Sequence, residues 1–371
     1  MSVNNSDLIP VSWADTAREQ LFTSWLGTCI HEFSLLPQTL RLASADASFR
    51  RYFSINSSSS SHKSFIIMDA PPDKENCDSF VSVANLMNKA GLLVPQILSW
   101  SRPDGFMLLT DLGSHTLLHH IGVQVDLTQP DITPPLKPFL QSIDALVTWQ
   151  KASAPKILPP YDEELLQREL NLFPEWYLTK HKQVCLNAEQ LNTISAVFQL
   201  IIKSNLSAPN VFVHRDFMTR NLMIPDSLDE SRLGILDFQD AVMGPITYDI
   251  ASLMRDAFCS WSEEFVLDIT VRYWERIRKS GIIDGNGWSE DFGEFWRAVE
   301  WMGLQRHLKV AGIFARLTLR DNKPKYLADT PRFISYIRST AKRYRELFPL
   351  IRMIDTIENV ESNQAYSFGR L

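Results

Sequence analysis

Residues 210–221, NVFVHRDFMTRN, decide the fold of this chain, because an apolar run leads there directly into a dense group of polar side chains. Residues 233–238, LGILDF, repeat the arrangement and end in an Asp-Phe pair. Short apolar runs bounded by polar residues are typical of buried strands. The residues between the two runs predict a hairpin-like excursion. We expect the two strands to return to the same end of one lobe and to bring together Asp216, Asn221 and Asp237.

The spacing of these polar residues is specific. The His-Arg-Asp sequence at 214–216, followed by Asn221 five positions after the aspartate, matches the catalytic-loop pattern that protein kinases use. Asp237 and Phe238 match the metal-binding Asp-Phe-Gly element of those kinases, with Gln239 in place of the glycine. The alternative for the tripeptide alone is a chance match, or an aspartate that only caps a turn.

Phosphoryl transfer explains why these residue types are needed, since the protein mainly positions the reactants and neutralises charge on the phosphates. A carboxylate beside the accepting hydroxyl aligns it and takes its proton late in the reaction, which is the catalytic role predicted for Asp216. Mg²⁺ prefers oxygen ligands and keeps several waters, so Asn221 and Asp237 are the predicted metal ligands.

Two lobes are the expectation for 371 residues, since a single hydrophobic core seldom grows to that size. Up to residue 112 the patterns predict a helix at 13–33, a second helix at 78–91 and several short strands. Beyond it, long helical patterns dominate, among them 136–151, 162–180, 188–205 and 331–348. The predicted fold class is α+β, with a small antiparallel sheet N-lobe at 1–112 and a mainly helical lobe at 113–371 that holds the catalytic loop and acceptor site.

Composition narrows the possible partners. The 37 basic and 43 acidic residues give a net charge of −6, which offers no basic field for nucleic acid. The four cysteines are far apart, and we interpret them as thiols in a reducing compartment. The N-terminus lacks the features of a signal peptide, and no apolar run reaches the length of a membrane span. We therefore expect a soluble, cytoplasmic protein with no membrane partner.

Longer stretches resemble a known superfamily. HRDF, NLM, LDFQDA and GPITYDIASL are similar to the catalytic loop, metal element and following helix of the aminoglycoside phosphotransferase and choline kinase superfamily, which has a protein-kinase-like bilobal fold. ADASFRRYF, MDAPP and LQRHLKVAGIFARL extend the resemblance, over residues 45–320, to the anomeric amino-sugar kinases within it. This resemblance implies ATP and Mg²⁺ as cofactors. It also implies transfer of phosphate to the C1 hydroxyl of N-acetylmuramate or N-acetylglucosamine, giving a sugar 1-phosphate for cell-wall (peptidoglycan) recycling.

The resemblance also implies a nucleotide site in the first lobe. It assigns the loop over the ATP phosphates to Ala47, Ser48, Arg50, Arg51 and Tyr52. The alternative is that these residues form an ordinary charged hairpin turn with no role in nucleotide binding. The lysine that kinases carry on the third strand is missing, because Met68 occupies its position, and we favour Arg50 or Arg51 as its replacement. The hinge that reads adenine through its backbone would include Thr110, Asp111 and Leu112.

The resemblance also implies a bracing role for Asp249 in the second lobe, and the chemistry of a sugar acceptor suggests further candidates there. Asp249 and His214 are expected to brace the catalytic loop. Gln305, Arg306 and His307 are candidates for the sugar, since an arginine pairs well with the lactyl carboxylate of N-acetylmuramate. A polar face between helices is the alternative for these three. Asp240 either binds sugar hydroxyls or supports the loop.

Two rival functions stay open at this point. A kinase of the same fold that acts on an aminoglycoside, choline or another alcohol would need an acidic or aromatic pocket for its cationic acceptor. A catalytically weak nucleotide-binding regulator is suggested by the missing third-strand lysine, although the chain retains all three residues of the predicted catalytic and metal set.

Overall fold

A computed structural model describes residues 11–45, 49–129, 131–225, 230–285 and 287–359, apart from the side chains of Ser44 and Ala45. Chain contacts divide the protein into two compact units. The first contains Met1–His120 and Arg220–Asp240, and the second contains Ile121–Thr219 and Ala241–Leu371. The chain therefore passes from one unit to the other within the segment that the sequence identified as decisive, between Thr219 and Arg220.

The regular elements alternate early in the chain and become mostly helical later. The helices are α1 Thr16–Cys29, α2 Asp78–Lys89, α3 Leu117–Gly122, α4 Leu136–Lys151, α5 Glu163–Leu170, α6 Ala188–Leu206, α7 Thr247–Met254, α8 Glu263–Lys279, α9 Phe292–Leu319, α10 Thr330–Ala341 and α11 Phe348–Ile357. The strands are β1 Leu35–Ala45, β2 Arg51–Ser57, β3 Ser64–Asp69, β4 Ile97–Ser101, β5 Phe106–Thr110, β6 His115–Thr116, β7 Asn210–Val213, β8 Leu222–Ile224, β9 Gly234–Ile235 and β10 Val242–Pro245.

The first unit is built on an antiparallel five-stranded sheet with the strand order β1-β2-β3-β5-β4. Its apolar face is covered by α1, where Phe22 contacts Phe53 of β2 and Phe106 of β5 with ring centroids 5.6 and 5.5 Å apart. Alternation along β2 and β5 brings these rings to one face of the sheet. The predicted small antiparallel sheet of the N-terminal lobe is confirmed.

A second, three-stranded sheet of the first unit carries part of the decisive segment. β8 pairs with β6 and, through a hairpin, with β9. Gly234 at the start of β9 allows close packing, because a Cβ atom there would lie 2.8 Å from a methyl carbon of Leu112. The predicted hairpin-like excursion is confirmed in its paired strands, while residues 226–229 at its tip lie outside the described residues.

The second unit is helical around α9, which is 28 residues long and buried along much of its length. α9 packs against α7 and α10 and against a π-helical turn at Phe173–His181. Gly312 allows a close approach, since a Cβ atom there would lie 2.4 Å from the backbone of Leu172, the residue before this turn. Among the helices in the described ranges, none combines the length and apolarity needed to cross a membrane.

Three sequence predictions of secondary structure were wrong in detail. The two apolar strands were expected in one lobe but belong to different units: β7 pairs with β10 in the second unit, whereas β9 pairs with its hairpin neighbour β8 in the first. The helix predicted over 162–180 is α-helical only to Leu170 and continues as the π-helical turn. The helix predicted over 331–348 ends at Ala341, and α11 starts at Phe348 with Pro349 in its first turn, where proline is tolerated.

Candidate active site

In the first unit, the structure brings together the two predicted metal ligands. Leu236 donates its backbone N–H to the carbonyl oxygen of Asn221 at 2.9 Å, which ties the ends of the β8–β9 hairpin. The Asn221 side-chain nitrogen then lies 3.3 Å from Oδ2 of Asp237. Gln239, the residue in place of the kinase glycine, donates its amide to the other carboxylate oxygen at 2.9 Å. A carboxylate and two side-chain amides thus share one small site.

The backbone around Asp237 is unusual. Asp237 has a φ of +63°, in the left-handed region that non-glycine residues seldom adopt. Next to it, Phe238 is fully buried and contacts Phe80 of α2, with ring centroids 4.9 Å apart. The buried ring anchors the segment and leaves the Asp237 side chain exposed. Strained backbone that is fixed by packing is a common feature of functional sites.

A second polar group of the first unit surrounds Arg50. This arginine is 7% exposed, and its Nε lies 3.2 Å from Oε2 of Glu75. The other carboxylate oxygen of Glu75 accepts the backbone N–H of Phe49 at 3.1 Å. Burial raises the pKa of Tyr52 to about 12, and the charges of Arg50, which lowers it, and Asp237, which raises it, also act on this hydroxyl. Arg50 and Tyr52 therefore belong to the same electrostatic environment as the candidate metal ligands.

Arg51 has a different environment from its neighbour. Its guanidinium donates from Nε and Nη2 to Oδ2 of Asp69, at 3.0 and 2.6 Å. Asp69 is completely buried, and its other oxygen accepts two hydrogen bonds from Arg18. The Arg51 guanidinium also stacks on Trp13, 4.2 Å from the ring centre. These contacts occupy Arg51 in an ion triad around the buried Asp69 carboxylate. Of the other residues predicted for the phosphate loop, Ala47 and Ser48 lie outside the described residues.

The predicted hinge follows β5 directly. Thr110 ends the strand, and its backbone N–H donates to the carbonyl oxygen of Gln96 at 3.0 Å. The carboxylate of Asp111 accepts from the Ser64 hydroxyl at 2.7 Å and from the Gly113 backbone at 3.1 Å. The Asp111 side chain is thus used within the fold, and Leu112 beside it is half-buried. Met68, at the position of the missing lysine, is fully buried in β3.

In the second unit, Asp249 of α7 binds the backbone of the loop after β7. This carboxylate accepts the backbone N–H groups of His214 and Arg215 at 2.7 and 3.0 Å. Burial raises its pKa, and His214 and the two backbone hydrogen bonds oppose that shift. The His214 ring is fully buried, and its Nδ1 accepts the backbone N–H of Asp216 at 3.2 Å. Hydrogen bonds to three consecutive backbone N–H groups, those of His214, Arg215 and Asp216, therefore fix the backbone position of Asp216.

The end of the same loop is held by a residue that sequence reasoning missed. Asp256 is fully buried and accepts the Thr219 hydroxyl and backbone N–H, at 2.6 and 3.1 Å. Its only sequence signal is its position seven residues after Asp249, just beyond the end of α7. Such a signal does not distinguish a loop-binding aspartate from a surface one.

The three α9 residues predicted to contact sugar point in different directions. Gln305 is fully buried and donates to Tyr161 and Glu169, both at 3.2 Å. Arg306 donates from Nη1 to the carbonyl oxygen of Arg215 at 2.8 Å and lies over the ring of Tyr248, at 4.7 Å. The ring of His307 stacks on Tyr336 at 4.6 Å. All three side chains are buried, and Arg306 is the one that contacts the loop after β7.

Three cationic groups interact electrostatically with Asp216. Burial lowers the pKa values of Arg215, Arg306 and Lys309, but neighbouring charges that include Asp216 outweigh it and raise all three. Lys309 follows Arg306 by three positions on α9, so the two share a helix face. Lys309 was not identified from the sequence, although this spacing was a usable signal. Asp240, the remaining candidate for the sugar, is an exposed turn residue at the end of the segment belonging to the first unit.

A model of the phosphotransferase enzyme family (APH) matches residues 39–288 of the chain. The N-acetylmuramate/N-acetylglucosamine kinase of Pseudomonas aeruginosa is 43% identical over 93% of this chain and 98% of its own length. The kinase of the same name from Neisseria meningitidis is 43% identical over 95% of this chain and 99% of its own length.

Solved structures with much lower sequence identity share the fold. A Plasmodium vivax ethanolamine kinase superposes with a TM-score of 0.56 at 11% identity, covering 94% of both chains. An ADP-bound aminoglycoside phosphotransferase superposes with a TM-score of 0.51 at 13% identity, covering 84% of this chain and 97% of its own. At these identities the similarity concerns the fold, and it confirms the protein-kinase-like fold class predicted from the sequence.

Proposed function

Because the chain belongs to the phosphotransferase enzyme family, we propose that it transfers the γ-phosphoryl group of ATP to the C1 hydroxyl of N-acetylmuramate or N-acetylglucosamine. The observation that carries the proposal is the 43% identity to kinases of that name over almost their entire length. The product would be a sugar 1-phosphate that enters cell-wall recycling. The reaction belongs in the cytoplasm, where ATP is available.

Asp216 is the proposed catalytic residue. Its carboxylate would accept a hydrogen bond from the sugar hydroxyl, align the oxygen for in-line attack and take the proton late in the transfer. An anomeric hydroxyl is more acidic than an ordinary alcohol, so a carboxylate of modest basicity is sufficient. The hydrogen bonds that His214 and Asp249 make with the loop support this role, since they leave the Asp216 backbone little freedom.

Asn221 and Asp237 are the proposed ligands of Mg²⁺, which when bound would neutralise charge on the ATP phosphates. Their donor set fits a hard cation, because a carboxylate and an amide oxygen suit Mg²⁺ and the two side chains are adjacent, with the Asn221 amide nitrogen 3.3 Å from Asp237 Oδ2. The amide of Gln239 on the same carboxylate would help to hold its orientation. Five positions of sequence separate Asp216 from Asn221, so the acceptor-aligning and metal-holding residues lie on one short stretch of chain.

For the nucleotide phosphates we propose Arg50 as the replacement of the missing lysine. Its ion pair with Glu75 supports this choice over Arg51, which is occupied by Asp69, and both Arg50 and Asp237 act electrostatically on Tyr52. In protein kinases a lysine–glutamate pair has to be in place for transfer, and Arg50 with Glu75 offers the same pairing of charges. Ser48 remains part of the proposed phosphate loop, and the backbone of Thr110, Asp111 and Leu112 remains the proposed adenine hinge.

On the acceptor side we propose that Arg306 contacts the sugar. It is the member of the α9 triplet that reaches the catalytic loop, and its guanidinium suits a carboxylate such as the lactyl group of N-acetylmuramate. The positive groups around Asp216 also argue against a cationic acceptor such as choline, because like charges brought together there repel each other. Asp240 and Gln305 have a weaker case, since one lies in an exposed turn and the other bonds within the interior.

The test is ADP release by the purified protein with Mg-ATP and a panel of acceptors: N-acetylmuramate, N-acetylglucosamine, choline, ethanolamine and an aminoglycoside. The expected result is rapid ADP release with one or both sugars and only background release with the three cationic acceptors. Equal or faster release with a cationic acceptor would contradict the proposed substrate. ATP binding without release for any acceptor would favour the nucleotide-binding regulator.

A further inference from the structure

The backbone just before Asp216 is strained. Arg215 has a φ of +77°, a left-handed conformation that arginine seldom adopts. Such a conformation persists only where the surroundings fix it. Its N–H donates to Asp249 at 3.0 Å, and its carbonyl oxygen accepts from Arg306 at 2.8 Å. The backbone of this residue is therefore held on both sides.

The side chain of Arg215 is held as well, by an acidic residue of α5. Nη2 of Arg215 lies 2.6 Å from Oε1 of Glu169, whose side chain is 6% exposed. The same carboxylate is 2.9 Å from Nζ of Lys309 and accepts hydrogen bonds from Tyr161 and Gln305. Glu169 thus connects the catalytic loop to α5, to α9 and to the segment before α5.

These contacts point to a fixed ionised carboxylate at this position. Burial alone would raise the pKa of Glu169, but the charges of Lys309 and Arg215 outweigh it and lower the pKa to about 2. Two cations beside one buried carboxylate leave it charged at any pH at which the protein would be assayed. Removing the carboxylate would take from both cations their ion pair with Glu169, which is 6% exposed.

We propose that Glu169 is a positioning residue for phosphoryl transfer, which clamps Arg215 and thereby fixes the strained turn that places the Asp216 carboxylate. This role of Glu169 rests on the proposed function of Asp216, and Glu169 itself does not touch the reactants. In kinases that are ordered by phosphorylation, a new phosphate pairs with arginine to order the active segment. Here an internal carboxylate, Glu169, pairs with the arginine of the loop at 2.6 Å.

The experiment compares wild type with Glu169→Gln, Arg215→Met and the double variant. As a matched control, Glu175→Gln removes a carboxylate that pairs on the surface with Lys180. With a sugar acceptor, the two single variants are expected to lose roughly 10- to 100-fold in kcat, since a misplaced reactive group costs about that much. KM for ATP should change less than threefold. The double variant should lose no more than the worse single variant, because both changes remove the same clamp.

A second readout is independent of turnover. Hydrogen exchange at the amides of His214 and Arg215, which Asp249 binds, should accelerate at least tenfold in Glu169→Gln and stay at the wild-type rate in Glu175→Gln. The unfolding midpoint of each variant shows whether the fold persists at the assay temperature. If Glu169→Gln leaves both kcat and loop exchange unchanged, the clamp is refuted. A wild type without sugar turnover but with accelerated loop exchange in the variant would refute the proposed function and leave the clamp standing.

Discussion

Nε of Arg50 lies 3.2 Å from Oε2 of Glu75, in a pair of side chains that are both mostly buried. The next residue, Arg51, points to the opposite side of its strand and is bound by Asp69. Two adjacent arginines of one predicted phosphate loop therefore have separate environments. One belongs to the surroundings of Tyr52 and Asp237, and the other stabilises the sheet through Asp69 and α1.

This difference predicts separate effects for two matched substitutions. Arg50→Met should raise KM for ATP or lower kcat by about 10- to 100-fold, because a charge-assisted hydrogen bond to phosphate contributes roughly 1.5–3 kcal/mol. Arg51→Met should leave both constants within about threefold of wild type, but should lower the free energy of unfolding by roughly 2 kcal/mol, because the buried Asp69 carboxylate loses its charge-assisted hydrogen bonds to Arg51 and retains those to Arg18.

Steady-state kinetics and denaturant unfolding of both variants provide the measurement. A greater kinetic loss in Arg51→Met than in Arg50→Met would reverse the assignment. Equal stability losses with wild-type kinetics in both would remove the two arginines from the nucleotide site.

The proposed metal site predicts a change in magnesium requirement. Asp237→Asn should raise the Mg²⁺ concentration needed for half-maximal rate by at least tenfold, because a carboxylate ligand is replaced by a neutral amide. Excess Mg²⁺ should recover part of the rate. The control is Asp240→Asn, an exposed aspartate three positions later in the same segment, which should retain the wild-type magnesium requirement. An unchanged requirement in Asp237→Asn would show that this carboxylate does not hold the metal.

The interior histidine of α9 predicts a pH dependence of stability. Burial, with the charges of Arg255 and Arg306, lowers the pKa of His307 well below the ordinary value of 6.5. The unfolded chain therefore binds a proton that the folded chain excludes, so stability is full above about pH 6.5 and falls as the pH decreases towards the folded-state pKa. This one group contributes a slope of up to about 1.4 kcal/mol per pH unit.

The measurement is the free energy of unfolding between pH 7.5 and about 5 for wild type and His307→Phe, which keeps a flat ring against Tyr336. The substitution should flatten the acid side of the profile, whereas His62→Asn, which removes an exposed histidine, should leave it unchanged. Parallel profiles for wild type and His307→Phe would show that His307 is not protonated on unfolding in this range.

Helices and strands whose residues show a clear local periodicity were predicted well from the sequence. α2 and its glycine terminus, the antiparallel sheet and the β8–β9 hairpin all depend on the periodicity and turn residues of a single stretch. The spacing of Asp216 and Asn221 could likewise be recognised without knowing the fold, because both residues lie on one short stretch of chain. The sheet partner of β7 did not follow from the sequence, since two short apolar runs do not specify which strand each one joins.

What the sequence did not reveal depends on contacts between distant segments. Glu169 and Lys309 are 140 positions apart, and each resembles an ordinary charge on an amphipathic helix until the fold pairs them. The separation of Arg50 from Arg51 requires knowing which acidic residue faces each side of the strand. The sequence predicted Gln305, Arg306 and His307 as candidates to contact the sugar. Consecutive helix positions point about 100° apart, so the three side chains could not share one ligand.

The most direct test of the central claim is phosphorus NMR of the products formed from Mg-ATP and N-acetylmuramate or N-acetylglucosamine by wild type and by Asp216→Asn. We expect a phosphate signal coupled to the C1 proton of the sugar with wild type, and no sugar phosphate with Asp216→Asn although that variant still binds ATP. Phosphate on another oxygen would contradict the proposed acceptor position, and wild-type turnover by Asp216→Asn would contradict the catalytic role of Asp216.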